Sequence, residues 1–292
     1  MTQYNVFYHF PCNDGEIAKL VWEQKYPQSK FYKWNHALLE QAITQLNKLH
    51  EEDTTIVFLD LCPSLDKLSK NHNYIIIDHH KNAIDEMNKN LSESNLYKIE
   101  MFCDTSKAGC MLVWDYCYNV LYQFYPKIVH HIGRKDIWDF TDIDTEPYTS
   151  GYNLYLAKTS STIRELKKKS LLNDNEPLHD LLIRLGEQNI IDLKIEAKQY
   201  FECITLSKET IDTIEYNILD INCSDSSIFK YVCEYAMAQY PSVDVLRILH
   251  LIKTDKNTYS LRSLRDHINV DGIARFYGGN GHPKAAGYTV YI

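Results

Sequence analysis

Glycine and proline are scarce, at 10 and 8 of 292 residues, and nowhere do they gather with serine into a flexible linker. No apolar run approaches the roughly 18 residues that cross a bilayer. The stretch from Met1 to His9 has neither the basic start nor the long apolar core of a secretory leader. The eight cysteines, at 12, 62, 103, 110, 117, 203, 223 and 233, form no Cys-x-x-Cys pair and no close repeat. That spacing argues against a disulfide scaffold or a structural zinc ribbon, and it predicts free thiols in a cytoplasmic protein. Positive charge is also in deficit: 31 Lys and Arg against 39 Asp and Glu leave a net charge of −8. A protein that grips long duplex nucleic acid by counterion release needs a broad basic face, which this composition disfavours. A few local cations would still suffice for a small anion.

What is present is ordinary for a packed chain, with 45% hydrophobic and 24% charged residues. At about 150 residues per domain, the length predicts two domains. Tyr4–His9 is rich in β-formers, and Lys30–Trp34 reads as a second strand. Thr55–Leu59 (TIVFL) and Tyr74–Ile77 (YIII) are continuous apolar runs, as expected of strands buried on both faces. Between them, Ile17, Ala18, Val21 and Trp22 recur at helical spacing, as do Leu38, Leu39, Ala42, Ile43, Leu46 and Leu49. Strands alternating with helices of this length predict βαβ units and a mainly parallel sheet. Residues 108–185 read as helical, with Ser106 a candidate cap for a helix through Tyr118. An uninterrupted run over 185–206 predicts a long connecting helix, after which strands and helices alternate again.

Chemistry-bearing residues follow the predicted strands directly. His9 ends the first, with Asp14 in the loop HFPCNDG; Asp60 ends TIVFL; Asp78-His79-His80 ends YIII. In a parallel sheet the carboxyl ends of all strands emerge on one edge, where ligand crevices form. Carboxylates and imidazoles gathered there repel or waste one another unless a cation lies between them, and divalent ions with oxygen and nitrogen ligands suit that role. Asp136, in GRKDIW, could close the cluster from a helix end. A single such acid is more simply a helix cap or a solvated loop residue; the combination is harder to dismiss.

Together, HFPCNDG, FLDLCP, IIIDHHK, GCMLVWDY, GRKDIW and GGNGHPKAAGY resemble the DHH phosphoesterase superfamily with its DHH-associated C-terminal domain, in order from residue 4 to residue 290. The resemblance implies an α/β fold. An N-terminal, mainly parallel sheet flanked by helices would carry the metal site (1–185). A connecting helix (186–208) would lead to a smaller C-terminal α/β domain that binds substrate (209–292), with the active-site cleft between the domains. It further implies two Mn²⁺ ions, Mg²⁺ or another divalent ion being an alternative. His9 would hold the first, Asp60 would bridge both, and Asp14, His79 and Asp136 would hold the second. Asp78 would orient His79, and His80 would face the substrate phosphate. Cys12 stands where family members often carry an aspartate, so it is either an unusual ligand or a loop cysteine that binds nothing. Asp60, His79, His80 and Asp14 form the implied catalytic set, with the ion pair activating water and clamping phosphate oxygens.

From the C-terminal domain the resemblance brings Arg262, Ser263, Gly278, Gly279, Gly281, His282 and Lys284 to the substrate. The glycines alone would signal only a tight turn. The expected reaction is hydrolysis of phosphodiester bonds in short nucleotides, as in a nanoRNase. A phosphomonoesterase or exopolyphosphatase on the same scaffold is an alternative. So is a nucleotide-binding sensor in which Cys12 has impaired catalysis. The expected partner is a short nucleotide or another phosphate ester, with no long duplex and no membrane; a homodimer stays open. His130-His131 read as structural, Trp114 and Trp138 as core, and Lys167-Lys168-Lys169 as a solvated helix face.

Overall fold

The computed structural model describes residues 4–34, 55–70, 72–92, 98–118, 124–157, 159–173, 176–252 and 255–291, together with 42, 44, 45 and 48. Most of the helical stripe expected over 38–49 lies outside the described residues. The chain divides into two compact units, residues 1–187 and 188–292.

The first unit is built on five strands: β1 (Asn5–His9), β2 (Lys30–Trp34), β3 (Thr55–Leu59), β4 (Asn73–Asp78) and β5 (Lys98–Cys103). They form a wholly parallel sheet in the order β2-β1-β3-β4-β5. Both faces are covered, which is why the central strands are apolar at consecutive positions rather than alternate ones. On one face Val6, Tyr8, Val57, Leu59, Ile75 and Ile77 pack under α1 (Asn13–Lys25), α3 (Gly109–Tyr118) and α4 (Lys127–Asp136), meeting Ile17, Val21, Trp22, Cys110, Val113 and Ile132. On the other, Phe7, Phe58 and Tyr74 stack across neighbouring strands, with ring centroids 5.5 and 6.2 Å apart. Met87 of α2 (Lys81–Ser92) joins that face. Burying one such side chain is worth roughly 1.5–3 kcal/mol, so the sheet is the rigid part of the unit.

Strand β5 is not among the strands that the sequence pattern predicts. It lies at the sheet edge, and its Lys98 and Glu100 are exposed, so its sequence lacks the apolar density of a central strand. Two further helices, α5 (Thr145–Leu156) and α6 (Ser161–Leu172), complete the unit, and α7 (Glu176–Gln199) carries the chain across the boundary. The expected connector over 186–208 overlaps α7 but ends later than the helix does. Lys168 of α6 departs from the expected solvated face: only 4% of its side chain is exposed and it pairs with Glu16. Trp138 departs the other way, being 71% exposed.

In the second unit, six strands form a mixed sheet in the order β10-β11-β9-β8-β7-β6. They are β6 (Thr205–Ile211), β7 (Ile214–Asn222), β8 (Val245–Ile252), β9 (Lys256–Ser263), β10 (Asn280–His282) and β11 (Ala285–Tyr291). Only the β7/β8 pair is parallel, its crossover made by α8 (Phe229–Gln239); α9 (Val270–Phe276) precedes β10. Among the described residues no helix is long and apolar enough to cross a membrane.

Candidate metal centre

The parallel register sets the site. Tyr8 is level with Leu59, and Leu59 with Ile77. The next residue on each strand, His9, Asp60 and Asp78, therefore emerges at the same height on one edge. Strand order reverses between β1 and β3, and a doubly wound sheet opens its ligand crevice at such a reversal. His9 and Asp60 flank it, and His79 and His80 follow one strand over.

Asp60 is buried, in a left-handed backbone conformation (φ 56°) that a short polar side chain tolerates. Its Oδ2 is 3.2 Å from His9 Nδ1. Its Oδ1 lies 3.2 Å from His79 Nε2 and 3.9 Å from His80 Nδ1, and it makes no hydrogen bond among the described residues. The same His79 Nε2 also lies 3.3 Å from Asp136 Oδ2 and 3.8 Å from Asp14 Oδ2. Three carboxylate oxygens from three separate elements thus crowd one nitrogen, which carries at most one proton to share among them.

Asp14 is held from the far side. Its Oδ2 accepts from the Gly109 N–H at 2.7 Å and its Oδ1 from the Cys110 N–H at 2.8 Å. The carboxylate therefore caps α3 from 95 residues upstream, the role expected of Ser106, whose own N–H donates to Asp104 instead. Gly109 permits this closeness. A Cβ there would sit 2.7 Å from Asp60 Cβ, 2.8 Å from Asp60 Oδ1 and 2.9 Å from Asp14 Oδ2. Within GCMLVWDY the signal for this role is a glycine opening a helix that packs beside an acid-rich strand edge.

Burial drives the Asp14 carboxyl well above its ordinary range, and the charges of Asp60 and Asp136 push the same way. Asp136 is raised by burial and by Asp60. Burial opposes ionisation of Asp60 too, but the His79 and His9 imidazoles outweigh it and hold Asp60 low. His9 is pushed up to about 10, chiefly by its contact with Asp60 and then by Cys12. Protons on these groups would offset the crowding of acids, and a divalent cation would supply the same compensation.

Among the described residues four groups each bring their donor atoms within 4.8 Å of one another: His9, Cys12 and Asp60; Asp14, His79 and Asp136; Asp60, Asp78, His79 and His80; and, on α4 and the loop after it, His130, His131 and Asp142. All the residues expected to hold metal therefore converge. One expected role is corrected. Asp78 does not orient His79; its Oδ1 is hydrogen-bonded to His80 Nδ1 at 2.7 Å, because His80 rather than His79 turns back over the strand end. His79 is oriented by the cluster itself. His80, 47% exposed at its side chain, helps line a cavity of about 470 Å³ with His9, Trp34, Asp60 and Lys81.

In the second unit, Arg262 is level with Ala285, and Ala285 with His282, so these residues and Lys284 share one end of the sheet. The Arg262 guanidinium lies 5.4 Å over the Phe229 ring. The Ser263 N–H donates to the Lys284 carbonyl, and Lys284 Nζ is taken up by the Arg265 carbonyl and Asp266. Gly278 has positive φ (78°), whereas Gly279 and Gly281 are dictated by the close passage of β11. His130 Nε2 bonds Asp142 at 2.9 Å, and buried His131 stacks on Tyr148.

No family model matches the sequence. An uncharacterized protein of Acanthamoeba polyphaga mimivirus is 23% identical over 314 aligned residues, covering 97% of this chain. The chain spans 66% of that relative's length. Among solved structures, the pGpG-specific phosphodiesterase PggH of Vibrio cholerae matches with a TM-score of 0.54 at 12% identity, covering 99% of this chain and 94% of that one. CDC45 of Entamoeba histolytica matches with a TM-score of 0.51 at 8% identity, covering 99% and 92%. These likenesses establish the fold and agree with the α/β architecture expected. Function has to come from the site, because one fold carries many activities.

Proposed function

We propose that this protein is a divalent-metal-dependent phosphohydrolase that cleaves phosphodiester bonds in short nucleotides. The observation that carries the reading is the ring of Asp14, Asp60 and Asp136 oxygens around His79 Nε2, at 3.8, 3.2 and 3.3 Å. Asp14 and Asp60 are buried and Asp136 is half-buried, and acids at such spacing are costly without a cation. The donor set fits one: the buried Asp60 Oδ1 has no hydrogen bond, and Gly109 keeps the space beside it free of a side chain. His9, Cys12 and Asp60 would hold one ion and Asp14, His79 and Asp136 the other, with Asp60 between. Mn²⁺ is the leading candidate. Bound there, divalent ions would acidify a water and neutralise phosphate charge.

The chain's own residues would do the rest. Asp78 fixes the His80 tautomer and stabilises its protonated form, so His80 can present positive charge to a phosphate oxygen from the rim of the cavity. The two N–H groups on Asp14 keep its carboxylate from swinging away. In the second unit, Arg262 and His282 are the proposed anion-binding residues. The fold likeness to a phosphodiesterase adds weight to the reading without deciding the substrate.

The test is turnover of pApA, a cyclic dinucleotide, a phosphomonoester and polyphosphate, each with Mn²⁺. Cleavage of pApA to mononucleotides is expected. Asp60→Asn should lower it by at least about a thousandfold with the circular dichroism spectrum unchanged. Full turnover in that variant refutes the site. Turnover of polyphosphate alone refutes the nucleotide substrate, and ligand binding without turnover refutes the enzyme.

A further inference from the structure

We propose that the two halves of the cluster differ in chemical hardness, so that His9, Cys12 and Asp60 select a borderline cation such as Zn²⁺, while Asp14, His79 and Asp136 select a hard one such as Mn²⁺ or Mg²⁺. This rests on the metal-dependent reading above and names which ion each half takes. The first set offers one nitrogen, one sulfur and one oxygen; the second offers one nitrogen and two oxygens. Thiolate and imidazole suit Zn²⁺, whereas a carboxylate-rich set suits Mn²⁺ and Mg²⁺.

Three features of the chain assign Cys12 to the metal. It stands at the N-cap of α1 in extended conformation and makes no capping hydrogen bond with its side chain. That position favours Ser, Thr, Asp or Asn, each worth about 1 kcal/mol there, so a cysteine gives up helix stability for something else. Its Sγ lies within 4.8 Å of the His9 and Asp60 donor atoms, a placement shared by no other cysteine among the described residues. Finally, Asp14 gives its donor to the other half, within 4.8 Å of those of His79 and Asp136. Cys12 is therefore the third donor of its half, and three protein ligands leave a position open for substrate or water.

The full chain, stripped by a chelator, is titrated with Co²⁺ as an optical probe and separately dialysed against excess Mn²⁺ with one equivalent of Zn²⁺ per chain for elemental analysis. The wild type should show a sulfur-to-cobalt charge-transfer band and retain one Zn²⁺ and one Mn²⁺. Cys12→Ser should lose the band and weaken Zn²⁺ binding at least about tenfold, with Mn²⁺ binding unchanged. Cys12→Asp should retain two Mn²⁺ ions when dialysed against Mn²⁺ alone. Two bound ions with no charge-transfer band in the wild type overturn the assignment of Cys12 but leave the phosphohydrolase reading standing. No bound divalent ion at all overturns both.

Discussion

Replacing Gly109 by alanine separates this account from a generic view of helices. Gly109 opens α3, and in an ordinary helix interior Gly→Ala gains up to about 1 kcal/mol. Here the added Cβ meets Asp60 Cβ at 2.7 Å and carboxylate oxygens of Asp60 and Asp14 at 2.8 and 2.9 Å. Asp60 Cβ is fixed to the backbone, and both carboxylates are short and buried, so overpacking of roughly 1–3 kcal/mol is expected. The displaced Asp14 also loses part of two charge-assisted hydrogen bonds, each worth about 1.5–3 kcal/mol when intact. The net expectation is a loss of about 2 kcal/mol, or roughly 4–8 °C in Tm for a unit of this size. Mn²⁺ should bind at least about tenfold more weakly, as when a ligand's supporting contacts are lost. Gly272→Ala is the control: its Cβ meets nothing within 4 Å, so stability should hold or rise. Urea denaturation and calorimetric Mn²⁺ titration read both effects. A Gly109→Ala protein as stable as wild type, binding Mn²⁺ equally well, would refute the packing argument.

Two further predictions concern stability. His131 is held down to about 4 by burial, with His130 adding to the effect, against about 6.5 in the unfolded chain. Between those values the unfolded chain binds a proton that the folded one does not, so stability rises with pH across the window and is lost as pH falls through it. The contribution is on the order of 3 kcal/mol, and the difference between wild type and His131→Asn in urea denaturation from pH 4.5 to 7.5 should reveal it; a constant difference contradicts it. In the second unit, Arg247 bridges Asp220 at 2.5 and 2.8 Å and Glu209 at 2.7 and 2.9 Å. Arg247→Ala leaves those carboxylates facing each other and should cost about 2 kcal/mol, less than for a fully buried group because the carboxylates keep some solvent. An unchanged denaturation midpoint would contradict that.

The parts legible in the sequence are those where one physical demand dominates. Strands β1, β3 and β4 announce themselves because a sheet covered on both faces needs apolar residues at every position. The residues following them could be placed on one edge because parallel strands share a direction. Strand β5 was hidden because an edge strand needs less apolar density. What the sequence did not disclose were contacts between distant segments. The cap of α3 comes from Asp14 rather than a local serine, and Gly109 matters for what lies across from it. Asp78 turning to His80 instead of His79 depends on how a two-residue step leaves the strand, which periodicity does not specify. Lys168 looked solvated in a basic run, yet its partner, Glu16, lies in α1.

The central claim is that His9, Cys12, Asp14, Asp60, His79 and Asp136 surround two cations. Equilibrium dialysis against Mn²⁺ and Zn²⁺ followed by elemental analysis tests it directly. The account predicts two divalent ions per wild-type chain and at most one in Asp60→Asn. A wild-type chain that retains none, or a variant that still retains two, would contradict it.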